Sequence, residues 1–176
     1  LLEYIKGPDF ATGGIVVNKS DLPEIYRTGM GRIRIRGKVK AEAGERGKIN
    51  LVVSEIPFTM IGGIDKFMDT IADLVRSKVM PDVVDIKNFS GKEGVRIVIE
   101  LRKGADAQQY INLLYKKAKL EDTFGYNAML LSAGVPCQMS LHRILNKFLS
   151  FYRETMTRKY KTLLDREKKS AEVKEG

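Results

Sequence analysis

The sequence predicts an α+β fold: antiparallel sheet packed with helices in two layers, followed by a long projecting C-terminal helix. Three observations predict it. Arg32 to Lys40 alternates charged and apolar residues with period two, the mark of a half-buried strand. Ile64, Phe67, Met68, Ile71, Leu74 and Val75 recur at three- and four-residue spacings, the mark of an amphipathic helix. From Ser140 a helical rhythm then runs almost to the end of the chain. The order βαββ, αββαβ and a final helix suits sheets covered by segregated helices.

In chain order, Gly7-Pro8-Asp9-Phe10 and Thr12-Gly13-Gly14 are turn chemistry, and Ile15-Val16-Val17 is a short apolar run. Asp21 caps a short helix from Leu22 to Arg27, with Pro23 tolerated in its first turn. Thr28-Gly29-Met30-Gly31 breaks the chain into a loop before the strand from Arg32 to Lys40. Ala43 to Gly47 reads as a hairpin turn, and Ile49 to Ile56 as the returning strand, stopped by Pro57. A helix follows from Asp65 to Val79, ended by Pro81. Val83 to Phe89 and Val95 to Leu101 form a second hairpin around Ser90 to Gly94. Asp106 to Leu120 is helical with Tyr110, Ile111, Leu114 and Tyr115 inward, and Phe124 to Leu131 is a strand closed by Gly134 and Pro136. The last helix, with Leu141, Leu145, Phe148, Tyr152, Met156, Tyr160 and Leu163 along one stripe, spans about 45 Å from Ser140 to Lys169.

The 176 residues carry a formal charge of +9 and are 43% hydrophobic, enough apolar content for a packed core. The charge is concentrated. Arg27 to Lys48 and Arg143 to Lys169 each sum to +6, leaving −3 for the remainder. Such a distribution points to a polyanion partner. No run reaches the eighteen or so apolar residues of a membrane helix, so no membrane partner is expected. One cysteine, Cys137, excludes an intrachain disulfide and suits a reducing compartment. One histidine, His142, has no acid or cysteine pair beside it and removes most triad and metal chemistry. Gly29-x-Gly31 lacks a third glycine and stands between helix and strand, the wrong order for a dinucleotide loop, and no phosphate-binding Gly-Lys-Ser/Thr exists. Asp65, Asp69 and Asp73 line one helix face, which reads more simply as a solvated face than as a cation site.

The strand from Arg32 is the sharpest functional feature. Arg32, Arg34, Arg36, Lys38 and Lys40 stand on one face, roughly 6.8 Å apart, with no acid in the row. A rigid comb of cations attracts phosphates strongly, without regard to sequence and with steep salt dependence. A solvated sheet face protected by cations is the plainer alternative. An RNA- or ribosome-binding α+β module is another, although no aromatic residue stands between Arg27 and Lys48 for base stacking.

Gly7-Pro8-Asp9-Phe10-Ala11-Thr12-Gly13-Gly14 and Tyr26-Arg27-Thr28-Gly29-Met30-Gly31-Arg32 resemble the A subunit of bacterial type IIA DNA topoisomerases, DNA gyrase and topoisomerase IV. Glu55-Ile56-Pro57-Phe58, Arg96 to Leu101, Asn112 to Lys116, Thr123-Phe124 with Asn127, and Gly134-Val135-Pro136 extend the resemblance in the same order over nearly the whole chain. Ala11, Met30 and Phe58 depart from the family's usual proline, arginine and tyrosine, as do Met60-Ile61-Gly62-Gly63 and Phe151-Tyr152-Arg153 from its pattern.

The resemblance implies a tower domain over 1–138, residues 1–18 being the lead-in from a preceding winged-helix region. It implies the start of a long coiled-coil helix over 139–176. It implies gate-segment duplex DNA as partner, held by Arg27, Thr28, Arg32, Arg34, Arg36 and Lys38 through sequence-nonspecific phosphate contacts. An A-subunit homodimer and a B subunit complete the parent complex in the cytoplasm. Magnesium and ATP belong to that complex, acting through the B subunit. The family cleaves DNA with a tyrosine preceded by arginine. None of the seven tyrosines here follows one, so no catalytic, cofactor or metal residue is expected in this chain. The start at Leu1 and the end at Gly176 suit an excised piece of a longer polypeptide, a mature processed protein being the alternative.

Overall fold

The computed structural model describes residues 3–60 and 62–175. Leu1 and Leu2 of the expected lead-in, Ile61 of the divergent Met60–Gly63 stretch and Gly176 lie outside the described residues. Nine strands and four helices are described: β1 (Ile15–Val16), α1 (Leu22–Thr28), β2 (Met30–Arg36), β3 (Lys38–Ala43), β4 (Ile49–Glu55), α2 (Gly63–Arg76), β5 (Val83–Asn88), β6 (Ile97–Leu101), α3 (Ala107–Lys117), β7 (Glu121–Asn127), β8 (Met129–Ser132), β9 (Val135–Gln138) and α4 (Leu141–Glu175). The fold class is therefore α+β with antiparallel sheets and a long C-terminal helix, as expected. Contacts group the chain into two compact units, Leu1–Pro23 with Gly31–Tyr126, and Glu24–Met30 with Asn127–Gly176. The boundary expected at 138/139 falls inside the second unit.

The first unit is built on two sheets, one of four strands in the order β3-β4-β6-β5 and one of three in the order β1-β2-β7. In the larger sheet Leu51 pairs with Ile99 and Val53 with Ile97, so the period-two apolar residues of β4 and β6 share one face. Phe67 and Ile71 of α2 and Tyr110 and Leu114 of α3 are buried against that face with them. Burial of each such large side chain is worth about 1.5–3 kcal/mol. α3 begins where the Asp106 carboxylate accepts the Gln108 and Gln109 amides at 3.0 and 3.2 Å, a side-chain N-cap. Tyr110 ties the helix to the layer below: its hydroxyl donates to Asp82 Oδ2 at 2.9 Å and accepts the Asp82 amide at 3.0 Å. Phe10 stacks on Phe58 at 6.0 Å and meets Phe124 of β7 edge-on at 5.2 Å, fixing the Gly-Pro-Asp-Phe turn.

Three sequence expectations need correction. The single strand from Arg32 to Lys40 is two strands in two sheets, divided at Gly37. The alternation passes through the break with its parity intact, so period alone could not reveal it. The helix expected to reach Val79 stops at Arg76, well before Pro81. Lys78 takes a left-handed conformation (φ 59°), and the Val79 and Met80 amides both bond back to the Leu74 carbonyl, which closes the helix end. The strand from Phe124 to Leu131 is likewise divided, into β7 of the three-stranded sheet and β8 of a separate hairpin with β9. Ala133 and Gly134 turn that hairpin with φ of 52° and 81°.

In the second unit, Gly29 ends α1 with its amide on the Ile25 carbonyl and φ of 78°. Its own carbonyl accepts the Ala128 amide at 2.7 Å. A Cβ there would press into the Met139 carbonyl, so the position requires glycine. The Ser140 hydroxyl accepts the Arg143 amide at 3.2 Å and opens α4, whose 35 residues span about 52 Å. No helix among the described residues is long and apolar enough to cross a membrane.

Candidate nucleic-acid interface

Ile33 and Ile35 of β2 are fully buried, and strand alternation turns Arg32, Arg34 and Arg36 to the other face. Hydrophobic burial on one side thus fixes the direction of the cations on the other. Past the end of β1, Asn18 continues the pairing with β2: its Oδ1 accepts the Arg34 amide at 2.7 Å and its Nδ2 donates to the Arg32 carbonyl at 2.9 Å. The backbone beneath the arginines is therefore held on this edge as well.

The three arginines differ in their partners. Arg32 is exposed and has no ion pair among the described residues. Arg36 donates its Nε to Glu121 Oε2 at 2.7 Å and pairs with the same carboxylate through Nη2. Its guanidinium also lies 4.4 Å from the centre of the Tyr115 ring, a cation–π contact. Arg34 lies 3.8 Å from the other Glu121 oxygen. Burial raises the Tyr115 hydroxyl above its ordinary pKa, against the opposing charge of Arg36.

Lys38 and Lys40 are not in this row. They begin β3 in the other sheet, and Lys38 reaches Glu55 Oε1 at 3.4 Å. Glu55 is engaged elsewhere too, since its Oε2 accepts the Gly14 amide at 2.6 Å. The expected comb of five cations with no acid among them is therefore a row of three arginines in one sheet and two lysines in another. Glu121 and Glu55 are drawn to it by folding.

In the second unit, Arg27 is exposed and forked onto Glu24, with Nε to Oε2 at 2.8 Å and Nη2 to Oε1 at 2.5 Å. The hydrogen bond from Arg27 holds the Glu24 carboxyl below its usual range. The Thr28 hydroxyl lies 2.9 Å from both the Glu24 and Met30 carbonyls, which engages its single proton with the backbone. The chain connects these residues to the β2 arginines, but the two sets belong to different units.

No charged or polar residue is fully buried among the described residues, so the ionic chemistry here is surface chemistry. No three His, Cys, Asp or Glu side chains among them come together as a metal site. The arrangement presents cations that can hold a polyanion by its phosphates.

The family of the DNA gyrase/topoisomerase IV A subunit matches residues 1–176. The chain belongs to this family. It is 35% identical over 176 residues to the DNA gyrase A subunit of Clostridium acetobutylicum, covering all of this chain and 21% of that protein. With the gyrase A subunit of Pseudomonas aeruginosa it shares 34% over 178 residues, all of the chain and 19% of the relative. With that of Neisseria gonorrhoeae it shares 38% over 163 residues, 90% of the chain and 17% of the relative. The chain thus spans about a fifth of the length of the gyrase proteins it matches.

Two residues that shape this face of the gyrase-family chain were not legible in advance. Asn18 looks like an ordinary loop polar residue, and only the shortness of Ile15–Val16 hints that β2 needs another edge partner. Glu121 stands 85 residues from Arg36, and nothing in their local sequence joins them.

Proposed function

We propose that this chain is a non-catalytic, DNA-supporting part of the A subunit of a type IIA topoisomerase, working in the cytoplasm. It holds gate-segment duplex beside the cleavage site while the parent enzyme changes DNA topology at the expense of ATP. Arg32, Arg34 and Arg36 make the principal phosphate contacts, Lys38 adds a point charge from β3, and Arg27 and Thr28 add secondary contacts. Strand cleavage, magnesium and ATP come from elsewhere in the parent complex, the B subunit included.

The observation that carries the reading is the row of three arginines fixed on one face of β2 by the burial of Ile33 and Ile35. The contact it makes is with the phosphate backbone, so it is blind to base sequence and weakened by salt. The Tyr115 ring is covered by Arg36, which favours duplex backbone over stacked single strands.

The test is duplex binding by fluorescence anisotropy, with Arg32, Arg34 and Arg36 changed together to Glu. The proposal expects binding to be abolished at 0.1 M salt. Unchanged affinity, or preferential capture of single-stranded RNA by the unaltered chain, would overturn it.

A further inference from the structure

Among the described residues, Glu121 is the one acid paired with the arginine row. It opens β7, which is paired beside β2, and its carboxylate takes the Nε edge of Arg36 while lying 3.8 Å from Arg34. Those are the N–H groups that a phosphate oxygen would take in a bidentate contact. The carboxylate is mostly covered, at 23% exposure, whereas Arg34 and Arg36 are 52% and 38% exposed. The acid is therefore better shielded from solvent than the two cations it pairs with. Beyond it, alternation puts Thr123 and Gly125 on the same face of β7. At Gly125 an added Cβ would meet nothing within 4 Å.

We infer that Glu121 is an internal competitor for phosphate, a positioning residue that holds Arg34 and Arg36 in place and sets the affinity of this face below what three free arginines would give. The inference rests on the proposed duplex contact at β2 and names how that contact is regulated. The row with Glu121 carries +2; without it the charge is +3. A phosphate docking on Arg36 must displace the carboxylate from one guanidinium edge or bind the edge that remains. Arg32 carries no such competitor, so the face has one always-available cation and two that are shared. A contact tuned in this way releases its DNA more readily than an uncompensated comb, which suits a duplex that must be bent and let go.

Glu121→Gln keeps the size and hydrogen-bonding shape of the side chain and removes its charge. Duplex anisotropy is measured from 0.05 to 0.3 M salt for the unaltered chain, for Glu121→Gln and for Glu121→Asp. Removal of one opposing charge at about 4 Å should tighten binding about fivefold at low salt. It should also steepen the dependence of log K on log salt by about 0.9. Glu121→Asp, which keeps the charge, should retain the original slope. If the Gln variant does not fold, Glu121→Thr, a good strand residue, replaces it with the same expectation. Unchanged or weaker binding by the charge-removing variant, or equal steepening in Glu121→Asp, would overturn the inference. Loss of the duplex contact itself would show differently: the unaltered chain would fail to bind, or would bind with no response to the arginine changes.

Discussion

The Gly37 amide donates to the Leu120 carbonyl at 2.7 Å, at the point where the chain leaves the three-stranded sheet for the four-stranded one. That bond anchors the crossover beside the start of β7, and so relates the arginines of β2 to Glu121. A Cβ on Gly37 would fall 2.5 Å from the Glu55 carbonyl and 2.7 Å from Leu120 Cδ1. One obstacle is backbone and the other a fully buried side chain. Gly37→Ala should therefore destabilise the fold by about 1–3 kcal/mol. Chemical denaturation checks it, through a lowered midpoint at unchanged slope.

The cations should not contribute equally to binding. Arg32→Gln removes an exposed arginine with no ion pair and should flatten the salt dependence by about 0.9. Glu24→Gln combined with Arg27→Gln removes a self-satisfied pair, with no net change in charge, and only a secondary contact, so it should flatten the slope by clearly less. Parallel salt titrations of the two variants decide this. An equal loss in both would mean that the β2 face has no special part.

Alkaline pH should weaken the fold in a defined direction. Burial is the leading cause that raises Tyr110, Tyr115 and Tyr126 above the ordinary tyrosine value. A raised folded-state pKa means that the native protein holds its proton where the unfolded chain gives it up. Stability is therefore intact below the unfolded value near pH 10 and is lost as pH rises through the folded values. Tyr110→Phe removes the bonds with Asp82, should cost roughly 1 kcal/mol at neutral pH, and should soften the alkaline decline. Thermal melts from pH 7 to 11 read both effects.

The start of α3 offers a local check on the layer that backs the larger sheet. Asp106→Ala deprives two amides of their acceptor and should cost about 1 kcal/mol. Asp106→Asn, which keeps an acceptor oxygen, should recover most of it, as followed by thermal unfolding.

What the sequence revealed and what it concealed follow from the range of the interactions. Phe67 with Ile71 could be read from local period because burial on one face imposes it, whereas Leu51 meets Ile99 only through the pairing of β4 with β6. Gly37 is a signal visible in the sequence, since a lone glycine within a strand pattern marks a bulge or a close backbone approach. The break at Ala128 hid inside an apolar run, where helix, strand and hairpin look alike. The arginine row was legible as charge at alternate positions. Its compensation was not, because Glu121 reaches Arg36, and Glu55 reaches Lys38, only through strand pairing across 85 and 17 residues.

The central claim is that the β2 arginines hold duplex DNA by its phosphates. The most direct measurement is the slope of log K against log salt for duplex binding, in the unaltered chain and with Arg32, Arg34 and Arg36 all changed to Gln. Because Glu121 competes for one of the three, loss of the row should reduce the slope by about 1.8, with weaker binding to duplexes of unrelated sequence alike. An unchanged slope in a folded triple variant would contradict the account.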